Sequence, residues 1–292
     1  MQRGECLECS AGDRHSCIRK SSFGLLVLRG ELIERMTKQD EKNPNHEENQ
    51  SSSQQSHTGP DGRPIENSIL RMLPYLEYAT LQPHLELIDL PMQQVLQEVG
   101  ERIEFGYFLN SGLVSLMVVT SDARSVEVGM VGREGFVGAP LVLGHRNSSQ
   151  RALVQIKGSA LRVKADVLRN IVPELPALRE QISRFVLSQA LQAAQLVACN
   201  RLHEVEQRLA RWLLMTHDRS AGDSLPITHD LLAQMLGSGR PSVTLAAGVL
   251  QRAGTIEYTR GQVTVLDRKA LEHSACECYG AIRRIASSAS ES

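Results

Sequence analysis

Apolar residues recur every three or four positions from Leu231 to Leu236 and again from Val243 to Leu250, with Gly237-Ser238-Gly239 between the two runs. Leu231, Leu232, Met235 and Leu236 form one helical stripe; Val243, Ala246, Ala247 and Leu250 form another. The punctuation agrees with two short helices. Thr228 is placed to cap the first, and Gly237 to end it in the left-handed conformation. Ser238 is placed to cap the second, Pro241 falls in its first turn, and Gly254 stops it. Arg240, Ser242, Thr244 and Gln251 lie off the apolar stripe. Two helices this short, joined by so tight a turn, predict a helix-turn-helix. Its second helix would enter a DNA major groove. From Thr255 to Leu266 apolar and polar residues alternate on either side of Arg260-Gly261, which predicts a hairpin, and a hairpin beside a recognition helix is a wing.

Upstream, Arg201 to His217 reads as an amphipathic helix with Leu202, Val205, Leu209, Trp212 and Leu213 on its buried side and Glu204–Arg208 as a solvated pair. Before it, Leu178, Ile182, Phe185, Gln189, Ala193, Leu196 and Asn200 recur at three- and four-residue steps. They predict one seam of a long helix, close to a two-helix coiled-coil pattern. A helix lying on its own sheet would show the same spacing; the length of the run favours self-association. Gln189 would set register on that seam or touch an effector, and Asn200 would be a hinge. From Leu85 the pattern is of short strands: Leu85 to Leu90, Gln94 to Glu98, Tyr107 to Leu109, Leu113 to Thr120, Ser125 to Val131 and Arg151 to Val163. Asn110-Ser111-Gly112 and Ser121-Asp122 supply turn signals, and such a series predicts a sandwich or rolled double sheet. Two short helices flank Pro74, and Arg133–Glu134 reads as a solvated pair. A short helix is expected over Arg268 to Ile285; Cys276-x-Cys278, placed on it, is poorly spaced for a shared ion and reads as structural or idle.

Composition narrows the function. The 292 residues carry a net charge of −1, so any nucleic-acid binding must rest on a local basic face rather than on the whole chain. No apolar run approaches the roughly 18 residues of a membrane helix, and the start lacks a signal-peptide pattern. The expectation is a soluble cytoplasmic protein without a membrane partner. No nucleophile–base pair, paired carboxylates or phosphate loop is found, and His145, His203 and His229 are isolated, so no enzyme is expected. Thr37 to Arg63 is polar and lacks residues to bury. Cys6, Cys9 and Cys17, with His15 nearby, could hold a metal or an iron–sulfur cluster. The competing expectation is that Met36 is the true start and that the first 35 residues are an over-extended reading frame.

The stretch LLAQMLGSGRPSVTLAAGVLQRAGTI resembles the recognition unit of the Crp/Fnr family of bacterial transcription regulators, and the likeness extends from about Pro64 to about Tyr279. The resemblance implies an α+β chain: an N-terminal jelly-roll sensor domain like those that bind cyclic nucleotides, a long dimerisation helix and a winged helix-turn-helix. The boundaries expected are 1–63 for a disordered or mis-started segment, 64–172 for the sensor, 173–200 for the helix and 201–285 for the DNA-binding part. It implies double-stranded DNA, a second copy of the chain and RNA polymerase as partners. In the family's pattern Arg240 reads bases, while the following Glu and second Arg positions are Pro241 and Leu245. Leu245 would then face a thymine methyl. Ser242 matches a phosphate-contacting position; Thr228, His229 and Arg260 would also meet phosphates, and Thr244 lies on the same face. In the sensor, Gly138 fits the family's glycine, Ala139 stands where a ribose-binding Glu is expected, and Arg151 falls near the phosphate-binding Arg. With Gln189 these residues mark a candidate effector pocket for a signal other than cyclic AMP. Some members carry an oxygen-sensing iron–sulfur cluster on N-terminal cysteines, though with a different spacing. Two alternatives stay open: a small-molecule sensor with vestigial DNA binding, and an iron–sulfur redox-sensing regulator.

Overall fold

A computed structural model of the chain describes residues 57–220 and 222–288, which lie within one compact unit. Cys6, Cys9 and Cys17 fall outside the described residues. Helices α1 (Ser68–Arg71) and α2 (Tyr75–Leu81) precede the sheet. Asn67 fixes them to it: its amide donates to the carbonyls of Leu109 and Gly135, and its Oδ1 accepts from Leu70 N at the start of α1. This buried amide therefore spends both ends on backbone that would otherwise go unpaired.

The sheet contains β1 (Glu86–Leu90), β2 (Val95–Gln97), β3 (Phe105–Val119), β4 (Ser125–Val131), β5 (Phe136–Val137) and β6 (Arg151–Lys164). Its order is β1-β6-β3-β4, with β2 against β6 and β5 against β3. The turn predicted at Asn110-Ser111-Gly112 is instead absorbed into a single long β3. Its register against β6 slips between Leu109 and Val114. Glycine explains the difference. Gly112 has φ +83°, and a Cβ on Gly158 opposite would collide with the Ser111 carbonyl. The two strands cross so closely that only glycine fits, and the turn signal becomes a set of bulges that bends the sheet. Short helices α3 (Ala139–Val142) and α4 (Ala165–Ile171), not predicted, lie on either side of β6 in the chain.

Helix α5 (Pro176–Leu202) buries Leu178, Ile182, Phe185, Ser188, Gln192, Leu196 and Cys199. The predicted seam shares Leu178, Ile182, Phe185 and Leu196 with this face but departs from it at Gln189, Ala193 and Asn200. This face is buried within the protomer, Leu178, Ile182 and Phe185 in the core of the sheet domain and Cys199 against Cys276 and Cys278, so it is not a self-association seam. Gln189 Nε2 donates to the Met130 carbonyl at 2.7 Å, toward the sheet. The helix carries a second apolar row that is left exposed: Leu187, Leu191, Val197 and Leu202 are 61%, 48%, 72% and 75% accessible. A helix with two apolar faces defeats assignment from spacing alone. Asn200 is helical; the helix runs on to Leu202, two residues past the expected end, and the backbone turns to extended geometry at His203.

Helix α6 (Val205–His217) begins with a capping box made by Glu204 and Gln207. Glu204 is thus a cap rather than half of a solvated pair, and Arg208 is buried, donating to the Leu236 carbonyl. Leu202 is exposed rather than part of this helix's buried side. Trp212 is core, as predicted. Beyond it come β7 (Ser224–Leu225), α7 (His229–Leu236), α8 (Arg240–Arg252), β8 (Ile256–Thr259), β9 (Gln262–Val265), α9 (Arg268–Ser274) and α10 (Cys278–Ser288). Their core is continuous with Leu113, Met117 and Met130 of the β3–β4 hairpin, so the C-terminal part packs on the sheet domain. The Glu134 carboxylate accepts from Arg219 Nε at 2.7 Å across this junction; it pairs with Arg219, not Arg133. Among the described residues no helix is long and apolar enough to cross a membrane.

Candidate nucleic-acid interface

The helix-turn-helix forms as its sequence predicts, with one exchange of roles. Thr228 Oγ1 accepts from Leu231 N at 3.2 Å and starts α7; Gly237, at φ +56°, ends it. Gly239 rather than Ser238 is the N-cap of α8, and Ser238 Oγ turns back to donate to the Leu236 carbonyl. The left-handed Gly237 points the Ser238 side chain toward the helix just completed, so it satisfies an end carbonyl there. Val243, Ala246, Ala247 and Leu250 are buried, as the stripe requires.

The opposite face of α8 carries Arg240, Ser242, Thr244 and Leu245, all exposed. Arg240 Nε lies 3.2 Å from Asp230 Oδ1. Both side chains are more than 60% accessible, so the pair contributes at most about 1 kcal/mol and holds the guanidinium only loosely. Thr244 Oγ1 donates to the Arg240 carbonyl and stands 3.2 Å from His229 Nδ1.

The wing is a β8–β9 hairpin with β7 added at its edge. Arg260 and Gly261 turn it with φ +39° and +85°, the mirror-type turn that matches strand twist. Tyr258 on β8 stacks on His229 with ring centroids 4.0 Å apart. Burial, aided by Arg240, pushes the His229 pKa below its ordinary value. Its Nε2 is buried without a partner among the described residues and its Nδ1 faces Thr244. His229 is therefore a neutral buttress between α7, α8 and the wing, not the isolated surface histidine or exposed phosphate contact expected. Tyr258 and Asp230 went unnoticed in the sequence: nothing local marks a pairing between residues so far apart in the chain or so ordinary in type.

The helix-turn-helix also rests on the sheet domain. Gln234 Nε2 donates to Ser125 Oγ at 2.5 Å, and Gly237 packs over Val126. An open cleft of about 770 Å3, lined by Thr120, Arg124, Asn200 and Gly239 among others, runs along this contact.

The candidate effector residues Gly138, Ala139 and Arg151 lie around β2, where Gly138 approaches Gln97 and Arg151 meets Glu98. Gly138, at φ +115°, begins the four-residue α3, with Ala139 as that helix's first residue. Arg151 is held by Glu98, Nε and the terminal nitrogen each about 2.9 Å from its carboxylate. That contact keeps the Glu98 carboxyl below its usual range. Gln189 borders a separate crevice with Ser68, Ile69 and Phe185.

A cluster of metal-ligating side chains lies elsewhere. Cys199 near the end of α5, His203 just after it, and Cys276 and Cys278 bring their ligand atoms within 4.8 Å of one another. Cys276 precedes α10 and Cys278 begins it, so the pair is not on one helix as expected, and the one-residue spacing no longer separates the thiols. Nor is His203 isolated. The hydrogen bond with Cys276 holds the Cys199 thiol well below its ordinary pKa and raises that of Cys276.

Comparison with known proteins agrees with this geometry. Residues 207–274 match the Crp-like helix-turn-helix domain. The chain is thus similar to transcription regulators of the Crp/Fnr type. It is 29% identical over 177 residues to the transcriptional regulator SdrP of Thermus thermophilus, a match that covers 58% of this chain and 83% of that protein. The fold is that of FixK2 from Bradyrhizobium japonicum, with a TM-score of 0.56 at 15% identity over 66% of this chain and 98% of that one. It is also that of a regulator of the same family from Eubacterium rectale, with a TM-score of 0.57 at 16% identity over 69% and 94%. These Crp/Fnr relatives are regulators of transcription rather than enzymes.

Proposed function

We propose that this Crp/Fnr-type regulator acts in the cytoplasm as a homodimer on a palindromic DNA site. The observation that carries this reading is α8 itself, buried on one side and presenting Arg240, Ser242, Thr244 and Leu245 on the other. In the major groove the Arg240 fork takes guanine O6 and N7, Leu245 meets a thymine methyl, and Ser242 and Thr244 serve phosphates or base edges. Thr228, capping α7, and Arg260, at the wing tip, meet phosphates on either side. RNA polymerase is the further partner of a regulator that activates.

One Arg reading bases gives too little affinity alone, and two half-sites about one helical turn apart supply the rest. The exposed row of Leu187, Leu191 and Leu202 on α5 offers the self-complementary surface that a two-fold dimer needs. The sensor responds to a signal other than cyclic AMP. Glu98 already occupies the Arg151 guanidinium that a phosphate would need, and Ala139 offers no carboxylate to a ribose hydroxyl.

The double variant Leu187→Glu/Leu191→Glu tests the dimer. Both side chains are exposed in the protomer, so the fold should survive. Sedimentation should then report a monomer, and affinity for a palindromic duplex should fall roughly 100-fold or more, with half-site binding unchanged. An unaltered dimer with unaltered affinity would exclude this interface.

A further inference from the structure

We propose that Cys199, His203, Cys276 and Cys278 form a tetrahedral Cys3His site for a single zinc ion. The distances are those of one ion. Cys199 Sγ and Cys276 Sγ are 3.5 Å apart, and Cys278 Sγ is 3.6 Å from His203 Nδ1. Tetrahedral zinc, with Zn–S about 2.3 Å, sets its thiolates about 3.8 Å apart. An iron–sulfur cluster bridges several irons and holds its outer thiolates farther apart than the 4.8 Å that contains all four atoms here. Three thiolates and an imidazole are a soft donor set of the kind that selects zinc over hard cations.

The surroundings fit a metal as well as the ligands do. His203 Nε2 lies 3.2 Å from Glu277 Oε1, which leaves Nδ1 to the metal and orients the ring through a carboxylate. Gln195 Nε2 donates to Cys278 Sγ at 3.1 Å. Arg211 is 3% accessible, its Nε has no partner, and its one hydrogen-bond acceptor among the described residues is the Met215 sulfur. A buried cation needs a counter-charge. Zinc with three thiolates and a neutral imidazole carries one net negative charge.

The site would join residues 77 apart in sequence, Cys199 and Cys276, and so close the whole winged helix-turn-helix into a loop fastened to the end of α5. The fastening lies where the backbone leaves α5. Zinc would thus fix the angle at which α8 is presented relative to the helix proposed to form the dimer.

Full-length protein purified under reducing conditions should carry a single zinc per chain by elemental mass spectrometry. Replacement with Co2+ should give the intense visible bands of tetrahedral cobalt and a thiolate-to-cobalt charge-transfer band. The combined Cys6→Ser/Cys9→Ser/Cys17→Ser variant should keep both signals, and Cys276→Ser or Cys278→Ser should lose them. Should the serine variants misfold, His203→Cys still decides: it should retain tetrahedral cobalt with a stronger charge-transfer band. The proposal is overturned by reduced wild-type protein without zinc or cobalt bands, by a Cys199–Cys276 disulfide in its place, or by loss of metal in the Cys6/Cys9/Cys17 variant alone. It is equally overturned if His203→Cys leaves the cobalt spectrum as it was.

Discussion

Replacing Arg240 with alanine should cost more sequence-specific DNA affinity than any other single truncation on α8. The side chain stands exposed at the first turn of the helix, paired loosely with Asp230, and its release from that pair is nearly free. A bidentate Arg–guanine contact is worth about 1–3 kcal/mol of discrimination. A dimer makes it twice, so Arg240→Ala should lower specific affinity by about 2–6 kcal/mol, or roughly 30-fold to 25,000-fold. Non-specific binding at the same salt should change little, because the phosphate contacts remain. The fold should be untouched, since no buried atom depends on the guanidinium. Titration of labelled duplexes, specific and scrambled, separates the two effects. An equal loss on both duplexes would mean that Arg240 meets a phosphate and that bases are read elsewhere.

The second large effect concerns stability and pH. Glu127 on β4 is fully enclosed where the sheet domain meets α6. Trp212 Nε1 donates to its Oε1 at 2.8 Å, and Ser115 Oγ lies 2.6 Å from its Oε2. Burial pushes its pKa from 4.5 up to about 7, outweighing the bonds from Ser115 and Trp212 and the attraction of Arg211 and Arg219, all of which lower it. The folded protein therefore holds this proton more tightly than the unfolded chain. Below about pH 4.5 both states are protonated and the stabilisation is fully present. It is lost as pH rises through about 7, where the folded protein must ionise a buried carboxyl. The shift corresponds to about 3 kcal/mol. Glutamine keeps the shape, accepts from Trp212 and can donate to Ser115, without the charge. Glu127→Gln should therefore match wild type near pH 4.5 and exceed it by up to about 3 kcal/mol at pH 8. Denaturant titrations of both proteins at the two pH values measure this. A stability difference that does not vary with pH would mean that Glu127 is ionised throughout.

The C-terminal half was legible because its signals are local. Thr228, Gly237, Pro241, Gly254 and the Arg260-Gly261 turn each act within a few residues, and each one falls at a helix or hairpin boundary. Ser238 misled only in direction, toward the helix behind it rather than the one ahead. What stayed hidden depends on partners far away in the chain. Gly112 looked like a turn because Gly158, the reason for its bulge, lies on another strand. The α5 stripe fits the sheet as well as a second copy by spacing alone, and the length that favours self-association misleads because the helix is apolar on both sides. Arg208 and Glu134 looked solvated until α7 and Arg219 closed over them. The cysteines show the same limit. Cys276-x-Cys278 is unpromising by its own spacing, and only the fold brings Cys199 and His203 to it.

Base reading by a dimer through Arg240 can be measured by selecting bound duplexes from a random library with purified full-length protein at near-physiological salt, in wild-type and Arg240→Ala forms. Wild type should select a two-fold symmetric motif, with a guanine in each half-site that disappears in the variant. An asymmetric motif, or one whose guanines survive the loss of Arg240, would contradict that reading.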